Sequence, residues 1–258
     1  MKRKNLYVSL IVLITVLLLY SVKYLYAFLI FGRSTYDALP LYDKLFWVQG
    51  TGLLLCLSVP IILRKYTSKT WPESLGFNRT VMKPFFGSVI AVMPMLIGFY
   101  VINGINVSLS FREIFWMSIW AGINEEIVYR AFIVGILVRY ANWPFLLAAI
   151  LSGILFGMGH LYQAATLTQG IGIFLFTTAV GVGFAAFFKY WNWNIWFPLF
   201  LHIFMNLSWV IFSSNGNVLM NSTLNIFRGM TILLAVVLTI VYIKSKRNNT
   251  AGITKPDN

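Results

Sequence analysis

Asn124-Glu125-Glu126-Ile127-Val128-Tyr129-Arg130 sits inside an apolar run that extends from about Ile114 to Val138. Two adjacent carboxylates and a guanidinium are costly there. A charged residue at the centre of a bilayer costs roughly 2.5 to 3.5 kcal/mol on insertion scales. Such groups need partners, a use, or both. Spacing supplies one partner: Glu126 and Arg130 are four residues apart, so they share a helix face with the acid on the favoured N-terminal side. Glu125 points about 100° away and is expected to lack a partner on its own helix.

The rest of the chain explains why this run is read as membrane-embedded. Of 258 residues, 59% are hydrophobic and 10% are charged, and the mean hydropathy is +0.78. Soluble domains carry about 25% charged residues. The expected fold is all-α, a polytopic membrane helix bundle of about eight transmembrane helices. Candidate spans of the required ~20 residues lie at roughly 6–31, 45–63, 84–103, 114–138, 144–161, 170–188, 193–213 and 225–243. The first runs on past Lys23 and has no small-x-small cleavage site, so it reads as a span rather than a secretory signal. Cys56 is the single cysteine, which excludes an intramolecular disulfide and a cysteine-built metal cage.

The net charge of +13 does not point to nucleic acid once its distribution is seen. Lys2, Arg3 and Lys4 precede the first span, and Arg64, Lys65, Lys69, Arg79 and Lys83 separate the second from the third. Arg139, Lys189 and the group Lys244, Lys246 and Arg247 follow the fourth, sixth and eighth. Alternate loops are poorer in positive charge: Arg33, Lys44 and Arg112 are offset by Asp37, Asp43 and Glu113, and the loops near 162–169 and 212–224 carry none. The positive-inside rule places both termini in the cytoplasm, and the setting expected is a bacterial cytoplasmic membrane. The 64–83 loop, with Trp71-Pro72 and Leu75-Gly76-Phe77, reads as an interfacial segment on that side.

Both histidines of the chain lie in expected spans. His160 ends Phe156-Gly157-Met158-Gly159-His160, and His202 stands one turn before Asn206. Three separate spans thus carry polar groups that hydrocarbon penalises, and such groups normally face a bundle interior or a wet cavity. A carboxylate beside an imidazole can orient and deprotonate water. A second imidazole and a carboxamide can donate hydrogen bonds to the oxyanion that forms when water attacks an amide. Ser152 lies two turns before His160 without a base on its own helix, so activated water is favoured over a protein nucleophile. Two histidines and a glutamate are also a catalytic zinc set, which leaves a metal held by Glu125, His160 and His202 as the other possibility. The HExxH signature of many zinc proteases is absent from the sequence.

Glu125-Glu126-Ile127-Val128-Tyr129-Arg130, the Phe156–His160 motif and the His202–Asn206 motif together resemble the CPBP family. This is the CAAX protease and bacteriocin-processing group, also called Abi, which includes type II CAAX prenyl endopeptidases and lysostaphin-resistance-like proteins. The resemblance implies an intramembrane endopeptidase. It implies that Glu125 activates water with His160, that His202 and Asn206 form the oxyanion site, and that Glu126, Arg130 and Phe156 support them. Members are widely labelled metalloendopeptidases, while a glutamate-dependent mechanism requires no cofactor; Zn2+ is the cofactor the label implies. The implied partners are the lipid bilayer and a membrane-associated protein or peptide substrate, with no nucleic acid. Ala131 stands where many relatives carry glycine.

The organisation expected is 1–112 for about three N-terminal transmembrane helices and a cytoplasmic loop, 113–210 for the CAAX protease-like core, and 211–258 for a last transmembrane helix and basic tail. The alternative function is a non-catalytic immunity or scaffold protein that uses the polar cluster for helix packing. A transporter is disfavoured, because the spans hold few further ionisable groups to line a path.

Overall fold

The computed structural model describes residues 3–64, 68–105, 109–212 and 222–253. Lys2, Lys65, most of the 212–224 loop and the end of the basic tail lie outside the described residues. Every described element is a helix, with no strand among the described residues. The long ones are α1 (Arg3–Ile30), α2 (Leu41–Ile62), α3 (Met82–Asn103), α4 (111–141), α5 (Phe145–His160), α6 (Leu167–Tyr190), α7 (Trp196–Phe212) and α8 (Ser222–Ile253).

Among the described residues, six helices are long and apolar enough to cross a membrane: α1, α2, α3, α5, α6 and α8. The other two expected spans are helical but differ in kind. α7 is apolar and has only 17 residues. α4 carries the charged heptad and is broken by wide turns. Leu17, Leu54, Val101 and Leu233 stand exposed on their helices, as side chains facing lipid do. Cys56 is fully buried, as expected of a small apolar residue in a packed helix.

Helix boundaries follow local chemistry. Pro40 and Pro144 precede α2 and α5, where a missing amide hydrogen costs nothing. Ser110 and Glu113 open α4 with a capping box: Glu113 Oε2 accepts from the Ser110 amide and hydroxyl, both at 2.9 Å. Those bonds hold the Glu113 carboxyl below its ordinary pKa. Asn142 ends α4 with φ of 58°, and the Trp143 amide returns to the Leu137 carbonyl. Asn142-Trp143-Pro144 is therefore a sharp stop and restart, and it sets α5 against α4.

The chain divides into two compact units. The first comprises 1–78 and 123–185. Within it α1 packs on α2 and on the end of α4, and α4 packs on α2 and α5. Polar ties fasten these contacts: Trp143 Nε1 donates to Ser9 Oγ at 2.9 Å, and Asn124 Nδ2 to the Gln49 carbonyl at 2.9 Å. The segment expected to lie at the interface forms a short helix, Trp71–Leu75, with Leu75 fully buried. Arg139 donates to the Ser74 and Glu73 carbonyls at 3.0 and 3.1 Å, so it satisfies the last turn of that helix. α5 meets α6 nearly backbone to backbone: a Cβ at Gly153 would lie 2.8 Å from the Thr178 carbonyl oxygen.

The second unit comprises 79–122 and 186–258. Here α3 packs on α7 and α8, and the front of α4 packs on α7. Ser88 donates to the Phe197 carbonyl at 3.0 Å. The Met95 amide donates to Thr231 Oγ1 at 3.2 Å, beside Pro94, which interrupts the helix ladder. Val92, Met95, Phe99, Phe212 and Leu224 form its buried apolar cluster.

The close α5–α6 contact makes a direct prediction. Gly153→Val should destabilise the protein by about 1–3 kcal/mol through overpacking. Gly172→Ala, where a Cβ meets nothing within 4 Å, should leave stability unchanged or slightly raised. Thermal unfolding of both variants in detergent checks this, and equal midpoints would contradict the packing.

Candidate active site

The site begins in a change of helix type. α4 is regular from Ala121 to Glu125 and then becomes a π-helix from Glu126 to Val134. Its i→i+5 hydrogen bonds put more residues into each turn, so residues four apart stand more nearly one above the other. Such widened turns recur at functional sites. Glu126 and Arg130 are fully buried, and Arg130 Nη1 lies 3.3 Å from Glu126 Oε1. The expected ion pair forms. Glu125, on the next face, is only partly buried.

Aromatic faces complete the surroundings of the guanidinium. The Arg130 Cζ lies 4.4 Å from the Phe156 ring centroid, 5.3 Å from that of Phe184 and 5.8 Å from that of Tyr129. A cation over an aromatic face gains about 2 kcal/mol or more when desolvated. Among the described residues, the guanidinium nitrogens meet no acceptor in hydrogen-bond geometry. Charge contact and ring faces therefore hold Arg130 in place.

Phe156 also positions His160. The two rings lie 4.4 Å apart between centroids, and His160 Nδ1 is 2.8 Å from the Phe156 carbonyl oxygen. A carbonyl oxygen can only accept, so Nδ1 carries the hydrogen. In the neutral imidazole, Nε2 is then the acceptor. Phe156 thus links Arg130 on one side to an imidazole of defined tautomer on the other. His160 is partly buried.

Tyr129 is the residue that sequence reasoning missed. It lies four residues after Glu125, one turn along α4. The signal was present in the i,i+4 spacing, but a tyrosine in an apolar run looks unexceptional. Tyr129 packs edge-on to Phe156 at 5.2 Å and hydrogen-bonds to Tyr20. Tyr20 in turn donates to the Leu155 carbonyl at 2.7 Å. A Cβ at Gly159 would lie 3.4 Å from the Tyr129 hydroxyl oxygen, so that hydroxyl reaches the turn bearing His160. Ser152 is buried and donates to the Tyr129 carbonyl at 2.8 Å. Its hydroxyl is engaged in holding α4 to α5.

His202 and Asn206 belong to the second unit. They stand one turn apart on α7, and both are partly buried. α7 is held closely around them. A Cβ at Gly122 would come within 2.7 Å of Ile203 Cγ1, and Ser208 donates to the Phe204 carbonyl at 2.7 Å. The structure therefore holds Glu125, Glu126, Tyr129, Arg130, Phe156 and His160 within one unit, and places His202 and Asn206 on a helix of the other.

A zinc site requires three protein ligands at metal-binding spacing. Among the described residues no three His, Cys, Asp or Glu side chains are so grouped.

Removing one member of a fully buried ion pair strands the other, at a cost of about 3–5 kcal/mol, whereas apolar replacement of both is often neutral. Glu126→Gln and Arg130→Met are each expected to lower stability strongly. The double variant Glu126→Leu/Arg130→Met should be less damaged than either. A double-mutant cycle on thermal midpoints measures this, and simple additivity would show that the pair is not coupled.

No curated protein and no solved structure matches the chain. The family model described as Type II CAAX prenyl endopeptidase Rce1-like matches residues 107–208, a segment that contains Glu125, Glu126, Arg130, Phe156, His160, His202 and Asn206. Over those residues the chain is similar to the type II CAAX protease family that its three motifs resemble.

Proposed function

We propose that this integral membrane protein is an intramembrane endopeptidase that cleaves a peptide bond of a membrane-associated protein or peptide with activated water. The observation that carries the reading is that one unit holds both a half-buried carboxylate and an imidazole whose tautomer is set. Glu125 projects from the face that the Glu126–Arg130 pair does not occupy. His160 has Nδ1–H committed to a carbonyl and Nε2 left to accept.

In the proposed reaction, the Glu125 carboxylate takes a proton from water while His160 Nε2 accepts the second O–H hydrogen bond. The water oxygen bonds to the scissile carbonyl carbon, whose oxygen becomes an oxyanion. His202 and Asn206 donate hydrogen bonds to that oxyanion. The carbon–nitrogen bond then breaks, and the proton held by Glu125 passes to the leaving amine. The products are a carboxylic acid and a free amine, and the acid's remaining proton passes to the amine to leave a carboxylate and an ammonium. Glu126, Arg130 and Phe156 hold the frame. The family match over 107–208, which spans all the named residues, supports this division of roles. The basic connections support both termini in the cytoplasm.

A purely structural role for the cluster would need Glu126 and Arg130 but has no use for partly exposed Glu125 and His160. The test separates the two readings. Purified full-length protein is assayed on a quenched fluorescent CaaX peptide, prenylated and unprenylated. Glu125→Gln and His160→Ala are expected to lower the rate by about 10²–10⁴-fold without shifting the melting temperature. Full cleavage by well-folded variants would end the catalytic assignment. Chelation with EDTA is expected to leave the rate unchanged; loss on chelation and recovery with Zn2+ would transfer the role of Glu125 to a metal ligand.

A further inference from the structure

Within the second unit, a cavity of about 530 Å³ opens at the start of α3 and near the end of α8. Lys83 lines it from one helix and Lys246 from the other. The hydroxyl-bearing residues Thr80, Tyr242 and Ser245 share the wall, and the exposed apolar residues Val81 and Met82 form one flank. Among the described residues no carboxylate lines it. The sequence has no Asp or Glu between Glu73 and Glu113, or between Glu126 and Asp257, so the segments that build the cavity supply cations only. Arg79, Lys244 and Arg247 extend the positive charge along the same two segments.

The walls are fixed by buried groups. The Tyr242 ring stacks on Trp191 at 4.3 Å and 6°, and Trp191 stacks on Phe197 at 4.0 Å and 9°. Trp191 Nε1 donates to Thr239 Oγ1 at 2.9 Å, which fastens the stack to α8. On the other side, Asn194 Nδ2 donates to the Thr80 carbonyl at 2.8 Å. Trp191 and Asn194 are each 4% exposed. One short connection, from Trp191 to Asn194, thus holds both walls.

We propose that this cavity binds the phosphate of an anionic phospholipid headgroup. Two ammonium groups and three hydroxyls suit a phosphate. The neighbouring apolar flank suits the start of an acyl chain. Both lining helices are long and apolar enough to cross a membrane, and the cavity lies at their ends, the level at which headgroups sit. Basic pockets between spans bind anionic headgroups in this way. The site is separate from the peptidase residues and does not depend on their role.

The experiment is native mass spectrometry of the full chain released from micelles containing phosphatidylglycerol and phosphatidylcholine of equal acyl length. The expected result is selective retention of phosphatidylglycerol. Lys83→Gln with Lys246→Gln should weaken it roughly 30-fold, at about 1 kcal/mol for each lysine. Lys83→Arg with Lys246→Arg should retain it, and Tyr242→Phe, which keeps the ring stack, should weaken it a few-fold. Lys4→Gln with Lys23→Gln, which removes as much charge elsewhere, should have no effect. Equal retention of both lipids would overturn the proposal, as would an equal loss in the Lys4/Lys23 pair or failure of the arginine pair to retain the lipid. Displacement of phosphatidylglycerol by millimolar inorganic phosphate would assign the cavity to free phosphate and overturn the lipid assignment.

Discussion

A glutamate and an arginine with no exposed surface, 3.3 Å apart, are the constraint on which the first unit depends. Each ion loses several kcal/mol of hydration on burial, and mutual attraction recovers that only in good surroundings. Phe156 from α5 and Phe184 from α6 supply ring faces for the guanidinium. The charge on α4 therefore recruits the two helices that follow it. His160 lies one turn beyond Phe156, tilted against its ring and bonded to its carbonyl. A requirement of solvation, once met by Phe156, thus becomes a requirement of position for the imidazole.

The backbone of α4 adapts to the same demand. Its π turns lie at Phe115–Trp120 and Glu126–Val134, the second around the ion pair. A wider turn brings residues 126 and 130 closer to vertical alignment than an α-helix does. It also leaves side chains room to tie the helix down. Ser152 bonds to the Tyr129 carbonyl inside this stretch. In hydrocarbon, every irregular backbone group must find such a partner within the protein.

Much of this was legible in the sequence, for reasons that can be named. Long apolar runs dictate helices where backbone groups cannot reach water, and the all-helical fold follows. The Glu126–Arg130 pair was legible because both its spacing and its cost are written in one segment. The function of Phe156 was not, because a ring over a cation is a contact between helices and leaves no mark on local periodicity. Tyr129 was hidden among apolar neighbours. Arg139 read as a topology marker, yet it also satisfies two carbonyls of the Trp71–Leu75 helix. Charge counting along a chain cannot reveal that bond. The tautomer of His160 likewise depends on which carbonyl its helix end presents.

Adjacent carboxylates on a helix cannot share one environment, since successive side chains diverge by about 100°. Here the consequence is a separation of burial: Glu126 is fully enclosed with its cation, and Glu125 beside it is only partly covered. Hydrolysis by activated water needs a carboxylate that stays ionised and reachable, while a membrane bundle tolerates ionised groups only when they are anchored. One residue of the doublet can anchor the helix electrostatically while its neighbour faces the substrate. Substituting either residue alone therefore perturbs a different property, folding at position 126 and the proposed chemistry at position 125. A doublet that performs both tasks from one turn of one helix needs no second charged span, which accords with how few other ionisable groups the spans contain.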